Sequence, residues 1–292
     1  HDALPISHDM TALVIPEFLD KVCRSEADKE WLSALPANIQ ALEDEWSLEL
    51  GDPILENASV SWVAPCRRQD GNAAILKLGM PHIQADDEIK GLAFWRGDPT
   101  VLLLESDRAR NAMLLERCIP GDSLKAQPLE VQDRVVADIL MRLRKRYPPQ
   151  GMFRTLVEMV ETWRSGPSDQ PEPEYDFGLK EEGDQLRAQL AADATESVML
   201  ATDLHPGNVL RAERTPWLAI DPKPYVGDPA YDATQHLGDA KERLAEKAEA
   251  TISHFCELAE LDSKRVQTWM FARFASESRV SAQVLARKIG LP

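Results

Sequence analysis

The hydrophobic period of this chain changes twice, and that change limits the folds open to it. Residues 10–45 read as helical and amphipathic, with Phe18, Leu19, Val22, Trp31, Leu32, Leu35, Ile39 and Leu42 at helical spacing. From Trp46 the texture becomes short apolar runs: Trp46, Leu48 and Leu50, then Val60, Trp62 and Val63, then Ala73–Leu78. Gly51-Asp52-Pro53 and Asp70-Gly71-Asn72 break these runs as turns between strands do. One helical stretch follows at about 84–95, and Val101–Glu105 and Ala112–Arg117 return to strand texture. Beyond Pro120-Gly121 the helical period takes over, with Val131, Val135, Val136, Ile139, Leu140 and Leu143 on one face. Further helices are expected at 152–164, 178–193, 239–260 and 263–287, with a Pro-rich loop at Ser165–Glu174. A run of strands carrying one helix, followed by a helical remainder, implies an α+β fold in two lobes. We place a small antiparallel-sheet amino-terminal lobe at 10–118 and a mostly helical carboxy-terminal lobe at 119–292. The opening His1-Asp2-Ala3-Leu4-Pro5-Ile6-Ser7 has no Met and fits nothing that follows. The native start is therefore expected at Met10, with residues 1–9 foreign to the protein.

Charge and cysteines exclude several classes. The net charge of −16 argues against nucleic acid or an anionic membrane surface as partner. It suits a cationic small molecule, and equally it is what a soluble acidic surface needs. No apolar run approaches the roughly 20 residues that cross a bilayer. Cys23, Cys66, Cys118 and Cys256 are far apart, without a CxxC pair. They read as reduced thiols of a cytoplasmic protein rather than as a zinc site or a disulfide frame. Monomer and homodimer both stay open.

The chemistry concentrates between Val198 and Asp221. Val198–Ala201 and Trp217–Ile220 read as short buried strands, and His205-Pro206-Gly207 between them forces a loop. Asp203, Asn208 and Asp221 sit at the ends of these runs. Phosphoryl transfer needs such a set: one carboxylate to take the proton of the attacking hydroxyl, and an amide oxygen and a second carboxylate to hold Mg²⁺. Each residue alone has a plainer reading, as a helix cap, a left-handed turn or a strand end. Kinase-like sites also need a strand lysine held by a helix carboxylate. Lys77 closes an apolar strand, and Glu88 lies eleven residues later, with Asp86 and Asp87 as competitors. An edge-strand solubilising charge is the other reading of Lys77. No GxGxxG precedes Lys77, which leaves Ser59 and Ser61 as weak candidates for gripping phosphate, and no GxxxxGK[ST] occurs. Asp176-Phe177-Gly178 spells a kinase metal motif, but it precedes the Asp–Asn loop and opens a helix, so chain order rules it out. His205 is read as structural.

The segments Asp203-Leu204-His205-Pro206-Gly207-Asn208, Ile220-Asp221-Pro222-Lys223-Pro224 and Gly227-Asp228-Pro229-Ala230-Tyr231-Asp232 resemble those of the aminoglycoside phosphotransferases, most of all the streptomycin 6-phosphotransferase and hydroxyurea phosphotransferase branch. The likeness runs from about residue 45 to near the end and is sharp from 198 to 237. It departs at Ala201-Thr202, where many members have His-Gly. The resemblance implies a bilobal protein-kinase-like fold, ATP or GTP as donor, Mg²⁺ on Asn208 and Asp221, and Asp203 as base. It implies Lys77 and Glu88 as the phosphate lysine and its partner. It also implies adenine against the backbone of Glu116 and Cys118, and Asp232 as a brace of the catalytic loop. Asp228 is read as structural or as part of the substrate pocket. The acceptor implied is an aminoglycoside such as streptomycin, met by carboxylates among Asp239, Glu257, Glu277 and the acidic residues of 168–184. Hydroxyurea or another small hydroxylated compound is the alternative, and a catalytically silent ligand-binding protein is a third.

Overall fold

The computed structural model describes residues 14–55, 60–80, 85–165 and 172–292. Met10, residues 1–9 and Ser59 lie outside the described residues. The chain separates into two compact units: one runs to Ile89 and takes in Leu103–Arg117, and the other comprises Lys90–Leu102 and Cys118–Pro292.

The first unit begins with α1 (Glu17–Val22) and α2 (Glu26–Glu45). These are two helices where the period suggested one. Ser25 divides them, because its hydroxyl accepts from Asp28 N while the Asp28 carboxylate accepts from Ser25 N, a reciprocal cap that starts a helix. Five strands follow: β1 (Leu48–Leu50), β2 (Ser61–Arg68), β3 (Ala73–Gly79), then, beyond α3 (Ala85–Trp95), β4 (Leu103–Asp107) and β5 (Ala112–Glu116). They form one antiparallel sheet in the order β1-β2-β3-β5-β4. Trp31, Leu35, Ile39 and Leu42 of α2 pack with Ala74, Leu76 and Leu78 of β3 in one core. Successive strand residues point to opposite faces, so Lys77 is turned away from that core.

The second unit holds α4 (Leu129–Leu143), α5 (Leu156–Ser165), α6 (Phe177–Ala192) and two small ladders. β6 (Val198–Leu200) pairs with β9 (Tyr225–Gly227), and β7 (Val209–Arg211) pairs with β8 (Trp217–Ala219), both antiparallel. α7 (Pro229–Asp239), α8 (Lys241–Ala259), α9 (Ser263–Ser276) and α10 (Val280–Ile289) complete it. The helix expected at 263–287 is broken at Glu277–Arg279. No Gly or Pro lies there; instead Glu172 accepts Val280 N at 2.8 Å and Gln283 exchanges hydrogen bonds with the Asp176 backbone. Residues 90–102 join this unit because Trp95 Nε1 donates to Leu143 O and Val101 N to Ala219 O. Asp133, almost wholly buried on α4, ties α7 and α8 by bonds from His236 and Arg243. Burial opposes its charge, but those bonds outweigh burial and hold the carboxyl well below its ordinary pKa. No described helix is long and apolar enough to cross a membrane, and all four thiols are free.

Candidate active site

In the first unit, Lys77 reaches from β3, opposite Met113, to the first turn of α3. Its ammonium donates to both oxygens of Glu88, at 2.7 and 2.8 Å. The two side chains are only 11% and 15% exposed, so the pair is largely out of water. A lysine this buried needs such a partner. Asp86, one competitor for the role, is taken by Arg108. Ser61 is buried in the ladder opposite Gly79. Glu116 ends β5 opposite Ala74, and Cys118 opens the second unit as a partly exposed residue.

In the second unit the site is made by main chain rather than by regular elements. β6 ends at Leu200, and the next two amides, Ala201 N and Thr202 N, each donate at 2.8 Å to one oxygen of Asp232 in the first turn of α7. Burial raises the Asp232 carboxyl to about 7, against the opposing pull of those two amides. Thr202 adopts φ +49° and donates its hydroxyl to Lys223 O at 2.5 Å, while Lys223 N returns to Ala201 O at 2.8 Å. Thr202 thus ties down the loop at the point where the sequence departs from the family pattern.

Asp203 follows, and its carboxylate forms an ion pair with the Lys223 ammonium. Its backbone carbonyl accepts from Asn208 Nδ2 at 3.0 Å. That bond turns the Asn208 amide oxygen to the opposite side of the group, where a neutral oxygen can serve as ligand. Asn208 O accepts from Ile220 N at 2.9 Å, tying it beside Asp221, which has φ +51°. Non-glycine residues in the left-handed region cost energy and gather at functional sites. The structure therefore brings Asp203, Asn208 and Asp221 together by a short mesh of backbone bonds. Among the described residues no cluster of three His, Cys, Asp or Glu could hold a metal alone. One amide oxygen and one carboxylate suit Mg²⁺, which keeps most of its waters.

Lys223 is the residue that the sequence reading missed. Its one signal was a lone lysine between two prolines directly after Asp221. His205 holds the turn, its Nδ1 accepting from Gly207 N at 3.1 Å. Asp228 is 2% exposed and fully engaged, capping α7 through Ala230 N and accepting from Arg265 and Trp269, so it is a structural hub and not a pocket residue. Asp176 caps α6 through Leu179 N, as its chain position required.

A chamber of about 870 Å³ opens within the second unit, with Thr202, the neighbour of Asp203, in its wall. Of the acids expected to meet a cationic acceptor, Glu277 and Asp184 line it. Asp239 instead approaches His205, and Glu257 is exposed on α8 outside the wall.

Residues 46–284 match the model of a family described as aminoglycoside/hydroxyurea antibiotic resistance kinase. A streptomycin 6-kinase of Streptomyces griseus is 36% identical over 261 residues, covering 85% of this chain and 83% of that one. A hydroxyurea phosphotransferase of Kitasatospora aureofaciens is 35% identical over 211 residues, covering 70% and 62%. The choline kinase LicA from Streptococcus pneumoniae superposes with a TM-score of 0.63 at 14% identity, covering 88% of this chain and 91% of its own, a likeness of fold.

Proposed function

The chain belongs to the aminoglycoside/hydroxyurea antibiotic resistance kinase family, and from that premise we propose that it transfers the γ-phosphoryl group of ATP to a hydroxyl of a small antibiotic-like acceptor, with Asp203 as base. The observation that carries this reading is the backbone mesh that presents Asp203, Asn208 and Asp221 together. Asp203 takes the proton of the acceptor hydroxyl as its oxygen bonds to the γ-phosphorus and the bond to the ADP oxygen breaks. Lys223 pairs with the Asp203 carboxylate and adds positive charge beside it. Asn208 and Asp221 are the residues that would hold Mg²⁺, which when bound neutralises phosphate charge. Lys77, oriented by Glu88, takes the α- and β-phosphates, and the backbone of Glu116 and Cys118 pairs with adenine.

Two acceptor classes follow from the relatives: a cationic one, as in the kinase named for streptomycin, and an uncharged one, as in the phosphotransferase named for hydroxyurea. Asp184 and Glu277 in the wall favour the first, and the cationic side chains described below favour the second. The test is release of ADP by the purified protein with ATP, Mg²⁺ and each compound in turn. Acceptor-dependent ADP release that disappears in Asp203→Asn supports the reading. No release with any hydroxylated acceptor, despite nucleotide binding, makes the chain a silent ligand-binding protein.

A further inference from the structure

Six cationic side chains and two acidic ones line the chamber of the second unit. This is unexpected in a protein of net charge −16, and it is opposite to what a polycationic ligand needs. The two acids are already engaged. Asp184 is ion-paired with Lys180, and Glu277 lies 3.9 Å from Arg273 Nε. Arg187 has no carboxylate within ion-pair distance among the described residues. Its guanidinium lies 5.3 Å over the Trp163 ring, and one nitrogen donates to Arg273 O at 2.9 Å. Arg273 in turn donates to Thr234 O at 2.9 Å. Burial, with the second guanidinium nearby adding to it, pulls the Arg187 pKa below its ordinary value. In the same wall, the Tyr175 hydroxyl is buried with no hydrogen-bond partner among the described residues. A buried hydroxyl donor left without an acceptor is costly, and a ligand oxygen relieves that cost; the half-buried Arg187 and Arg273 guanidiniums, each with more N–H groups than those bonds use, can donate to the same oxygen.

Resting on the phosphotransferase reading above, we infer that Arg187 and Arg273, with the Tyr175 hydroxyl, form a seat for a carbonyl or carboxylate oxygen of the acceptor. The preferred acceptor is then a neutral or anionic hydroxyl compound bearing such an oxygen, and a polycation is disfavoured. Trp163 and Tyr231, also in the wall, present flat apolar faces suited to a small planar group.

The experiment compares kcat/KM of the full chain for hydroxyurea and for streptomycin, in wild type, Arg187→Met and Glu277→Gln. Wild type is expected to prefer hydroxyurea by about tenfold or more. Arg187→Met raises KM for hydroxyurea by about tenfold and leaves KM for ATP unchanged. Glu277→Gln, which frees Arg273 from the acid beside it, lowers KM for hydroxyurea. Preference for streptomycin, or weaker hydroxyurea turnover in Glu277→Gln, overturns the inference. Because Arg187 also bonds Arg273 O and stacks on Trp163, the fold of its variant is checked by thermal unfolding, and Arg187→Lys serves as a second variant with partial loss expected. Calorimetric titration with oxamate, a carbonyl-bearing carboxylate with no hydroxyl to phosphorylate, separates the two readings. Oxamate binding that weakens in Arg187→Met, without turnover of any acceptor, keeps the seat and removes the phosphotransferase reading. Oxamate binding indifferent to Arg187 and Glu277 removes the seat.

Discussion

The Lys77–Glu88 and Asp203–Lys223 pairs are chemically alike and physically opposite. Each joins one ammonium to one carboxylate. The first sits on a strand and a helix with both side chains 15% exposed or less, and the lysine meets both carboxylate oxygens. The second lies on loops, with Lys223 46% and Asp203 29% exposed. An exposed pair contributes little to stability, whereas removing one partner of a buried pair leaves a charge stranded. In the first unit, then, the side-chain pair itself fixes the geometry. In the second, the geometry is fixed by side chains that bond the loop main chain, those of Asp232, Thr202 and Asn208, and the ion pair only rides on it. A site of the first kind depends on the ion pair itself, and one of the second kind on the side chains that hold its main chain.

The sharpest break in that contrast is expected from Glu88→Ala. Removing one member of this buried pair should lower unfolding free energy by about 3 kcal/mol, read from urea unfolding, together with a rise in KM for ATP. Asp232→Asn comes next. Two amides point at the carboxylate, and an Asn side chain can accept from only one of them. A loss of about 1–3 kcal/mol is expected, with a fall in kcat because the segment leading to Asp203 is released. The same variant tests a pH effect. The Asp232 pKa is raised from 3.8 to about 7 on folding, so its contribution is full below pH 3.8 and is lost as pH rises through 7. The unfolding midpoint of wild type should therefore carry a downward component between pH 4 and 7 that Asp232→Asn lacks. Identical pH slopes in the two proteins would argue that Asp232 is ionised throughout. The smallest effect belongs to Lys223→Met. Its stability should change by less than about 1 kcal/mol, while kcat falls and KM for ATP holds. A stability loss matching that of Glu88→Ala would erase the distinction between the two pairs.

The contrast also explains what could be read from the residues alone. Lys77 was legible because it closes an apolar strand, while Glu88 was one of three acids at the helix start and was singled out by the family resemblance. Asp203, Asn208 and Asp221 were legible as a pattern of types and spacings, and Asp176 as a helix cap. Lys223 was not, since a residue between two prolines in a loop follows no period, and its partner is chosen by bonds to Ala201 and Thr202. β7 and β9, three residues each, are too short to show alternation. The break at Glu277–Arg279 is imposed by Glu172 and Asp176, more than a hundred residues away. The cationic wall was hidden for a different reason. Net charge is a property of the whole chain, and a chamber lined by Arg187 and Arg273 can be locally positive on an acidic protein.

The most direct measurement is the pairing of ATP affinity with acceptor-dependent ADP release in Asp203→Asn. If Asp203 accepts the hydroxyl proton, kcat falls by about 10²–10⁴-fold while calorimetric ATP binding stays at the wild-type value. Turnover that persists at the wild-type rate would contradict the assignment of the base, and with it the account of how this loop works.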